Sequence, residues 1–328
     1  MRAALVAALV ALAAVAAIVG SRGGGGHPQS RPRERAPLAR VHPVRLGAHV
    51  VGNLSAPEQD AAVASVGAAT TVLLGGLTAT DTSRADIVVL RGSHETRHGV
   101  LPLALHDAAA TTIGQTVYLF GGGNLTTSDG ILRIRPRKLS VSPVGHLPLP
   151  LSDVGAATVG HTAYVVGGFD GAKASDRILA WRPGGRVRTV ARLPHALRYA
   201  AVATLGQTLY VAGGTSERGN ATRDLLAFDT RGGTVTKVGR LPRATTHAAA
   251  AAFGCCVYVI GGRGTNVGTP TRRIYAFDPS HKHLQSAGRL PQPLSDLGAV
   301  AQRRRILVFG GRGSNATAGS VVQLAPPS

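Results

Sequence analysis

The sequence predicts an all-β fold built from six copies of one four-stranded unit. A glycine pair recurs at nearly even intervals, the short run before each pair alternates with the period of a β-strand, and turn residues separate four such runs per interval. The first glycines of the pairs give spacings of 46, 46, 46, 48 and 49 residues; they are Gly75, Gly121, Gly167, Gly213, Gly261 and Gly310.

The third copy shows the unit in order. Its four runs read VGAATV, TAYVVGG, RILAWRP and VRTVARLP. Four antiparallel strands per repeat form one blade, and six blades around an axis close into a β-propeller. The glycine pair ends the second strand, where we expect a sharp turn and a close approach of neighbouring backbones, and both favour a residue without a Cβ.

These residues resemble the Kelch repeat. The apolar strand ends in Gly-Gly, an aromatic such as Trp181, Phe228 or Phe277 follows the variable loop, and a Tyr precedes the pair by three residues in four copies, at Tyr118, Tyr164, Tyr210 and Tyr258. The chain departs from the Kelch pattern on the fourth strand, where the usual Trp is replaced by Val190, Val238 and Ala287. The resemblance covers about Val44 to Leu324 and implies a propeller.

The last copy lacks its fourth strand. It stops after SVVQLAPPS, whereas the segment before the first copy contains GNLSAP, which parallels GRLPQP at Gly288 to Pro293. We therefore expect His42 to Leu54 to supply the outer strand of the last blade, paired with Val321 to Leu324, so that no open sheet edge remains between the chain ends.

The first forty residues differ from the repeats. Ala3 to Gly20 are uncharged and apolar, which is typical of an export signal or an N-terminal membrane anchor within residues 1–20, and residues 21–40 form a Gly-, Pro- and Arg-rich linker before a propeller at 41–328. More Arg follows the apolar run than precedes it, which opposes export. We nevertheless expect an extracytoplasmic protein, secreted or anchored by this segment.

The net charge of +20 favours an anionic partner, but the Arg and Ala bias has a second interpretation in genomic composition. No basic run carries interleaved aromatics, so we expect no nucleic-acid partner. The two cysteines, Cys255 and Cys256, are adjacent, and we favour a reduced pair because neighbouring Cα atoms lie closer than in most disulfides. The sequence shows no metal-ligand spacing and indicates no cofactor.

The candidate site is a ring at one mouth of the central channel. Fourteen residues before each glycine pair, or fifteen in the first copy, the innermost strand opens with one of Asp60, Asp107, Asp153, Tyr199, His247 and Asp296. The polar loops share that face, so we expect ligand binding there. The alternative interpretation is that each Asp caps the turn at its own blade entry by accepting backbone N–H bonds.

The sequence therefore predicts a monomeric Kelch-type binding or interaction module at the cell surface, with a carbohydrate, small molecule or protein at the loop-rich face. The alternative is a sugar-active enzyme resembling the exported sialic-acid mutarotases of this family, with acid and base groups at the channel mouth. Copper radical oxidase chemistry, also found in the family, is not expected, because the cysteines fall on the opposite face and only Tyr199 lies near the mouth.

Overall fold

The computed structural model describes residues 43–327, and these are all-β, without a helix. The predicted signal or anchor (1–20) and linker (21–40) lie outside the described residues. The strands are β1 (Gly47–Asn53), β2 (Ala62–Val66), β3 (Thr70–Leu74), β4 (Arg84–Arg91), β5 (His94–Ile113), β6 (Thr116–Gly123), β7 (Gly130–Arg135), β8 (Ser140–His146), β9 (Ser152–Val159), β10 (Thr162–Phe169), β11 (Arg177–Trp181), β12 (Arg188–Arg192), β13 (Leu197–Arg198), β14 (Ala201–Leu205), β15 (Thr208–Ala212), β16 (Thr215–Ser216), β17 (Thr222–Asp229), β18 (Thr234–Thr245), β19 (Ala249–Phe253), β20 (Cys256–Ile260), β21 (Thr271–Asp278), β22 (His283–Leu294), β23 (Gly298–Gln302), β24 (Arg305–Phe309) and β25 (Ser320–Ala325).

The described residues belong to one compact unit, Val41–Ser328. Nothing in residues 43–327 forms a helix that is long and apolar enough to cross a bilayer. Consecutive strands pair antiparallel, as in a meander, and the resulting sheets form a β-propeller. The innermost strands contact one another in a cycle, in which β2 contacts β5, followed by β9, β14, β19, β23 and β2 again.

The sheets do not separate into six blades of four strands. Four sheets have four strands each, namely β9–β12, β14–β15–β17–β18, β19–β22 and β23–β25 with β1, whereas β2 to β8 form one continuous sheet of seven strands. The reason is β5, a strand of 20 residues that runs without interruption. Its first part pairs with β4 from His94 to Leu105, and its second part pairs with β6 from His106 to Ile113.

Core side chains lie between neighbouring sheets. The two middle strands of a sheet are buried on both faces, so that alternate residues of β3 enter different cores: Leu74 packs with Val117 and Leu119 on one side, and Leu73 packs with Leu307 and Phe309 on the other. Strands near the rim are partly exposed: four of the five residues of β12 are exposed, and Ala191 is partly buried against a core.

The glycine pairs join neighbouring sheets. In the second copy, Gly122 donates its N–H to the Leu151 carbonyl at 2.9 Å. Gly121 has a φ of 62°, and a Cβ built on it would overlap that same carbonyl oxygen. The turn therefore needs a left-handed conformation and leaves no room for a side chain. The expected close approach of backbones is confirmed here.

The recurring aromatics also make contacts between sheets. Tyr118 packs edge-on against Trp181 of the next sheet, with ring centroids 4.9 Å apart, and Tyr164 packs in the same way on Phe228 at 5.8 Å. Tyr258 has no such aromatic in the last sheet. Its hydroxyl instead donates to the Val44 carbonyl at 2.9 Å, which attaches the beginning of the described chain to the propeller.

The N-terminal strand is shorter than the segment expected for it. β1 covers Gly47–Asn53 and pairs antiparallel with β25, from Gly47 opposite Ala325 to Asn53 opposite Ser320, with a register shift between Val50 and Gly52. Before β1 the chain binds the neighbouring sheet, because Leu46 donates its N–H to the Ala287 carbonyl at 2.7 Å. The Leu46 side chain is buried in that core.

Candidate functional site

All six residues of the predicted ring line one cavity of about 120 Å³ at the mouth of the channel. Five of them precede an innermost strand or lie near its beginning, whereas Asp107 lies inside β5, at the start of the part that pairs with β6. We call this set the mouth ring; its members are Asp60, Asp107, Asp153, Tyr199, His247 and Asp296.

The backbone of the mouth ring repeats one unusual conformation. All six residues have a φ between 54° and 58°, in the left-handed region that costs an ordinary residue about 1–2 kcal/mol. Hydrogen bonds then link ring members: Asp60 donates its N–H to the Asp296 carbonyl at 2.9 Å, and Asp296 donates to the His247 carbonyl at 2.9 Å. His247 and Tyr199 each donate in the same direction, at 3.2 Å and 2.9 Å.

The carboxylates of the mouth ring bind side chains. Asp107 accepts a hydrogen bond from the Tyr199 hydroxyl at 3.1 Å, and Asp153 accepts one from Arg198 Nη1 at 3.3 Å. Asp296 accepts one from the Ser295 hydroxyl. Among residues 43–327, no hydrogen bond runs from a backbone N–H to these carboxylates, so the capping interpretation does not describe them. Asp and His tolerate the left-handed backbone better than most residues, which supplies a different structural reason for their presence.

Burial raises the pKa of all four carboxyls. The proximity of Asp107 and Asp296 raises the pKa of Asp60 further, and that of Asp153 does the same for Asp107. The pKa of Asp153 and of Asp296 is raised by burial against opposing hydrogen bonds and nearby arginines. These groups therefore take up protons at a less acidic pH than ordinary aspartates do.

An Arg and aromatic strip crosses the mouth. The Arg198 guanidinium lies 4.7 Å from the centre of the Phe169 ring and 5.5 Å from that of Tyr199. The Tyr199 ring in turn stacks on His247, with centroids 3.7 Å apart and planes inclined by 24°. Arg263 donates to His247 Nε2 at 3.1 Å, so two arginines balance part of the charge of the mouth ring.

His247 does not change charge near neutral pH, contrary to the expectation for a histidine. Burial and the nearby Arg263 and Arg198 lower its pKa to about 2. Because an arginine only donates, Nε2 is the acceptor and Nδ1 carries the proton, which it donates to the Thr246 hydroxyl at 3.0 Å. The 3.7 Å separation from Asp296 is accordingly not an ion pair.

A groove opens beside the mouth ring and shares Asp107 with it. It has a volume of about 590 Å³ and lies between the loops that follow β6 and β10. His106, Asn124, Thr126, Phe169 and Asp170 are among its lining residues. His106 lies 3.6 Å from Asp107, and burial lowers its pKa. We call this the loop groove.

Within the described range, no three His, Cys, Asp or Glu residues are grouped so as to hold a metal ion. The structure joins Cys255 and Cys256 by a disulfide, so the expectation of a reduced pair was wrong. Both residues lie at the hairpin between β19 and β20, where the turn brings the two sulfurs together on the face opposite the mouth ring.

Comparison with known families agrees with the geometry. The Kelch motif matches residues 196–242 and 244–283, two adjacent repeats. The two matched repeats and the propeller arrangement are consistent with the Kelch-repeat family. No curated protein matches the chain. A Kelch propeller in general supports a protein-interaction role.

Sequence reasoning missed Phe169, Arg198 and Arg263. The signal for two of them was available, because Phe169 and Arg263 each directly follow a glycine pair. Strand pairing places that position beside the mouth ring: Arg263 forms a bridge with Thr246, the residue before His247. Arg198 precedes Tyr199, but no other copy repeats an arginine there.

Proposed function

We propose that this protein is an exported or membrane-anchored binding module at the cell surface, whose ligand docks on the face that carries the mouth ring. The observation that carries the proposal is the convergence of all six ring residues on one cavity beside the loop groove. The loops on this face are long and polar, and loops on a rigid scaffold are a common place for binding.

The sizes of the two cavities indicate how a ligand would lie. The mouth cavity of about 120 Å³ is below the usual 300–1,000 Å³ of small-molecule sites, whereas the loop groove of about 590 Å³ is within it. The ligand body therefore occupies the groove, and one end reaches the carboxylates. Carboxylates accept hydrogen bonds from hydroxyls, and Asn124 and Thr126 both donate and accept, which suits a hydroxyl-rich ligand such as a carbohydrate.

One observation favours a second candidate, a sugar-active enzyme. His106 and Asp107 both line the loop groove, and burial lowers the pKa of the histidine while it raises that of the aspartate. A histidine with a lowered pKa beside a carboxyl with a raised pKa is a suitable base and acid pair.

The proposed site needs a closed ring, and we propose six blades, counted by dividing β5 between the first two. The six equal φ values of the mouth ring support this count. Closure is supported by the pairing of β1 with β25 and by Gly311, which donates its N–H to the Glu58 carbonyl at 2.8 Å just as Gly122 does to Leu151.

The test is a glycan and metabolite binding screen with the full-length protein, followed by titration of any ligand found against variants. We expect Asp107→Asn and Asp153→Asn, which are nearly isosteric, to weaken binding about tenfold each, because a charged acceptor becomes neutral. Asp229→Asn on the opposite face is the control and should bind normally.

Acidification should weaken binding of the wild-type protein, since the ring carboxyls take up protons. Unchanged affinity in both ring variants, with melting curves as in wild type, would place the site elsewhere. Conversion of a bound sugar, abolished by Asp107→Asn, would favour the enzyme.

A further inference from the structure

Another cavity lies on the face opposite the mouth ring. It has a volume of about 590 Å³ and is formed by hairpin turns of the first two repeats: residues 66–70 between β2 and β3, Gln115 and Thr116 between β5 and β6, and residues 135–138 between β7 and β8, with Arg91 at the end of β4. We call it the basic cleft. The proposed function leaves it unused.

The charged side chains that line the basic cleft are all positive. Four cations line the basic cleft, namely Arg91, Arg135, Arg137 and Lys138, and no carboxylate does. In the described part of the chain none of the four side chains forms an ion pair, and all four residues are exposed. Mutual repulsion of four unpaired cations around one cavity is unfavourable, and a bound anion removes it.

Some exposed arginines elsewhere in the described residues do have a carboxylate partner. Arg192 pairs with Asp176 at 2.6 Å, and Arg312 pairs with Asp81 at 3.2 Å. The hairpin turns on the cleft face contain two carboxylates, Asp229 and Asp278, and each accepts a backbone N–H of its own turn, at 3.0 Å and 2.9 Å. Neither lines the cleft.

The basic surface continues beyond the cleft. The triplet Arg303-Arg304-Arg305 covers the turn before β24 and the first residue of that strand. The Arg305 guanidinium lies 3.3 Å from the position that a Cβ on Gly92, the residue after Arg91, would occupy. Arg303 and Arg304 are exposed. The cations therefore form an extended path, which suits a ligand with several anionic groups better than a single ion.

We propose that the basic cleft binds a phosphate-bearing polyanion that lacks bases. Guanidinium groups match the oxygens of phosphate in bidentate pairs, and Lys138 supplies a point charge. No aromatic side chain lines the cleft, so the stacking platforms that single-stranded nucleic acids use are missing there. Gln115, Thr116 and Thr70 offer further hydrogen bonds to phosphate oxygens.

The test uses the full-length protein and short-chain inorganic polyphosphate, with affinity measured by calorimetry at several salt concentrations. The double variant Arg91→Gln/Arg137→Gln should weaken binding at least about tenfold and reduce the salt dependence, because two charge-assisted contacts are lost. The matched control is Arg186→Gln/Arg188→Gln, two exposed arginines at the turn before β12 that do not line the cleft. It removes the same charge and should stay within about twofold of wild type. Melting curves establish that both variants are folded.

Equal weakening in the two double variants would overturn the proposal, because net charge and not the cleft would then bind the probe. Absence of polyphosphate binding would overturn it as well. If inorganic phosphate binds with the same affinity as the polymer, the cleft is a site for a single anion, and the proposal of a polyanionic ligand is contradicted. Oligothymidylate and anionic lipid vesicles are tested as competing probes. If either binds more tightly than polyphosphate and the cleft variant weakens that binding, the cleft has a different ligand, and the proposal of a polyanion without bases is contradicted.

Discussion

At the residue scale, the left-handed backbone of the mouth ring favours the same residue types that supply its polar side chains. Four of its six members are aspartates and one is a histidine, residue types that tolerate a left-handed backbone. Tyr199 has no such tolerance, yet it has a φ of 54°. Its ring stacks on His247 and its hydroxyl binds Asp107, so these contacts hold a conformation that the backbone alone disfavours.

Glu58 is the residue whose chemistry least fits its place. It lies two residues before Asp60, where other copies have buried leucines such as Leu105 and Leu151, and it is itself only 4% exposed. No hydrogen bond or ion pair of its carboxylate occurs among residues 43–327, although Arg84 is near enough to favour its charge. Burial raises its pKa to about 8.

A carboxyl with a higher pKa in the folded state stabilises the protein below its unfolded pKa of 4.5 and ceases to do so as pH rises through 8. We therefore expect the free energy of unfolding to fall from pH 5 to pH 8. Glu58→Gln should lose less stability over this range and melt at least about 2 °C higher at pH 8. Thermal melts at both pH values give the comparison.

The exposed Glu217→Gln is the control and should behave as wild type. The ring aspartates, whose pKa values are also raised, contribute in the same direction, so only the difference between wild type and Glu58→Gln isolates Glu58. If the stability of these two proteins depends on pH in the same way, ionisation of the buried Glu58 carboxyl does not destabilise the fold.

At the element scale, the glycine pair at the end of each second strand is the junction of the propeller. Its first glycine turns the chain, and its second donates to a carbonyl of the next sheet, as Gly122 does to Leu151. The hairpin glycine of the same repeat, Gly114, has an equally left-handed φ of 64° but no atom near its missing Cβ. A substitution at Gly114 therefore measures the conformational cost alone, whereas one at Gly121 measures that cost together with steric overlap.

We expect Gly121→Ala to destabilise the protein by about 2–5 kcal/mol, the sum of a left-handed alanine and a clash with the Leu151 carbonyl. Gly114→Ala should cost only about 1–2 kcal/mol, since its Cβ would point into open space. Chemical denaturation of both variants measures the difference. Equal losses would mean that the sheets shift apart without cost at this junction.

The sequence pattern predicted the features that recur in every repeat, and it did not predict the features that depart from the repeat. The period located the mouth ring, because Asp107 and Asp153 stand at the same distance from their glycine pairs. It could not find that β5 runs on from one sheet into the next, since no turn residue marks that continuity. Glu58 was detectable by comparing copies at one position, where a carboxylate replaces leucine. The Arg198 contacts depend on side-chain directions that no periodicity encodes.

At the scale of the whole molecule, the mouth ring and the basic cleft on the opposite face differ in charge. Four aspartates converge at the mouth ring, and four unpaired cations line the basic cleft on the other side. β1 begins opposite Ala325, at the end of β25 that lies on the cleft face.

Export is a prediction about the whole chain. The uncharged run from Ala3 to Gly20 should carry the propeller out of the cytoplasm despite the arginines that follow it. A reporter fused after Ser328 should read as extracytoplasmic, and deletion of residues 1–20 should retain it in the cytoplasm. Cytoplasmic activity of the intact fusion would show that the charge asymmetry prevails.

Closure of the ring by the N-terminal strand is also a prediction about the whole molecule. Residues 43–53 cover the outer edge of β25, bury Leu46 in the core of the neighbouring sheet and receive the Tyr258 hydroxyl through the Val44 carbonyl. Deletion of residues 41–54 should therefore expose an unpaired edge strand and open a cavity in that core. We expect a sharply lower melting temperature or aggregation, measured by scanning calorimetry and light scattering.

The matched control removes residues 1–40, a longer stretch that precedes the described residues, and we expect it to melt like the intact protein. Tyr258→Phe provides a graded version of the same test. It removes only the hydrogen bond to Val44 and should cost about 1 kcal/mol, because the tyrosine ring remains buried while one acceptor loses its donor. If both truncations melt together and Tyr258→Phe changes nothing, the N-terminal strand is dispensable, and the seam between the first and last repeats must be held by the bond from Gly311 to Glu58 and by the packing of Leu73 against Leu307.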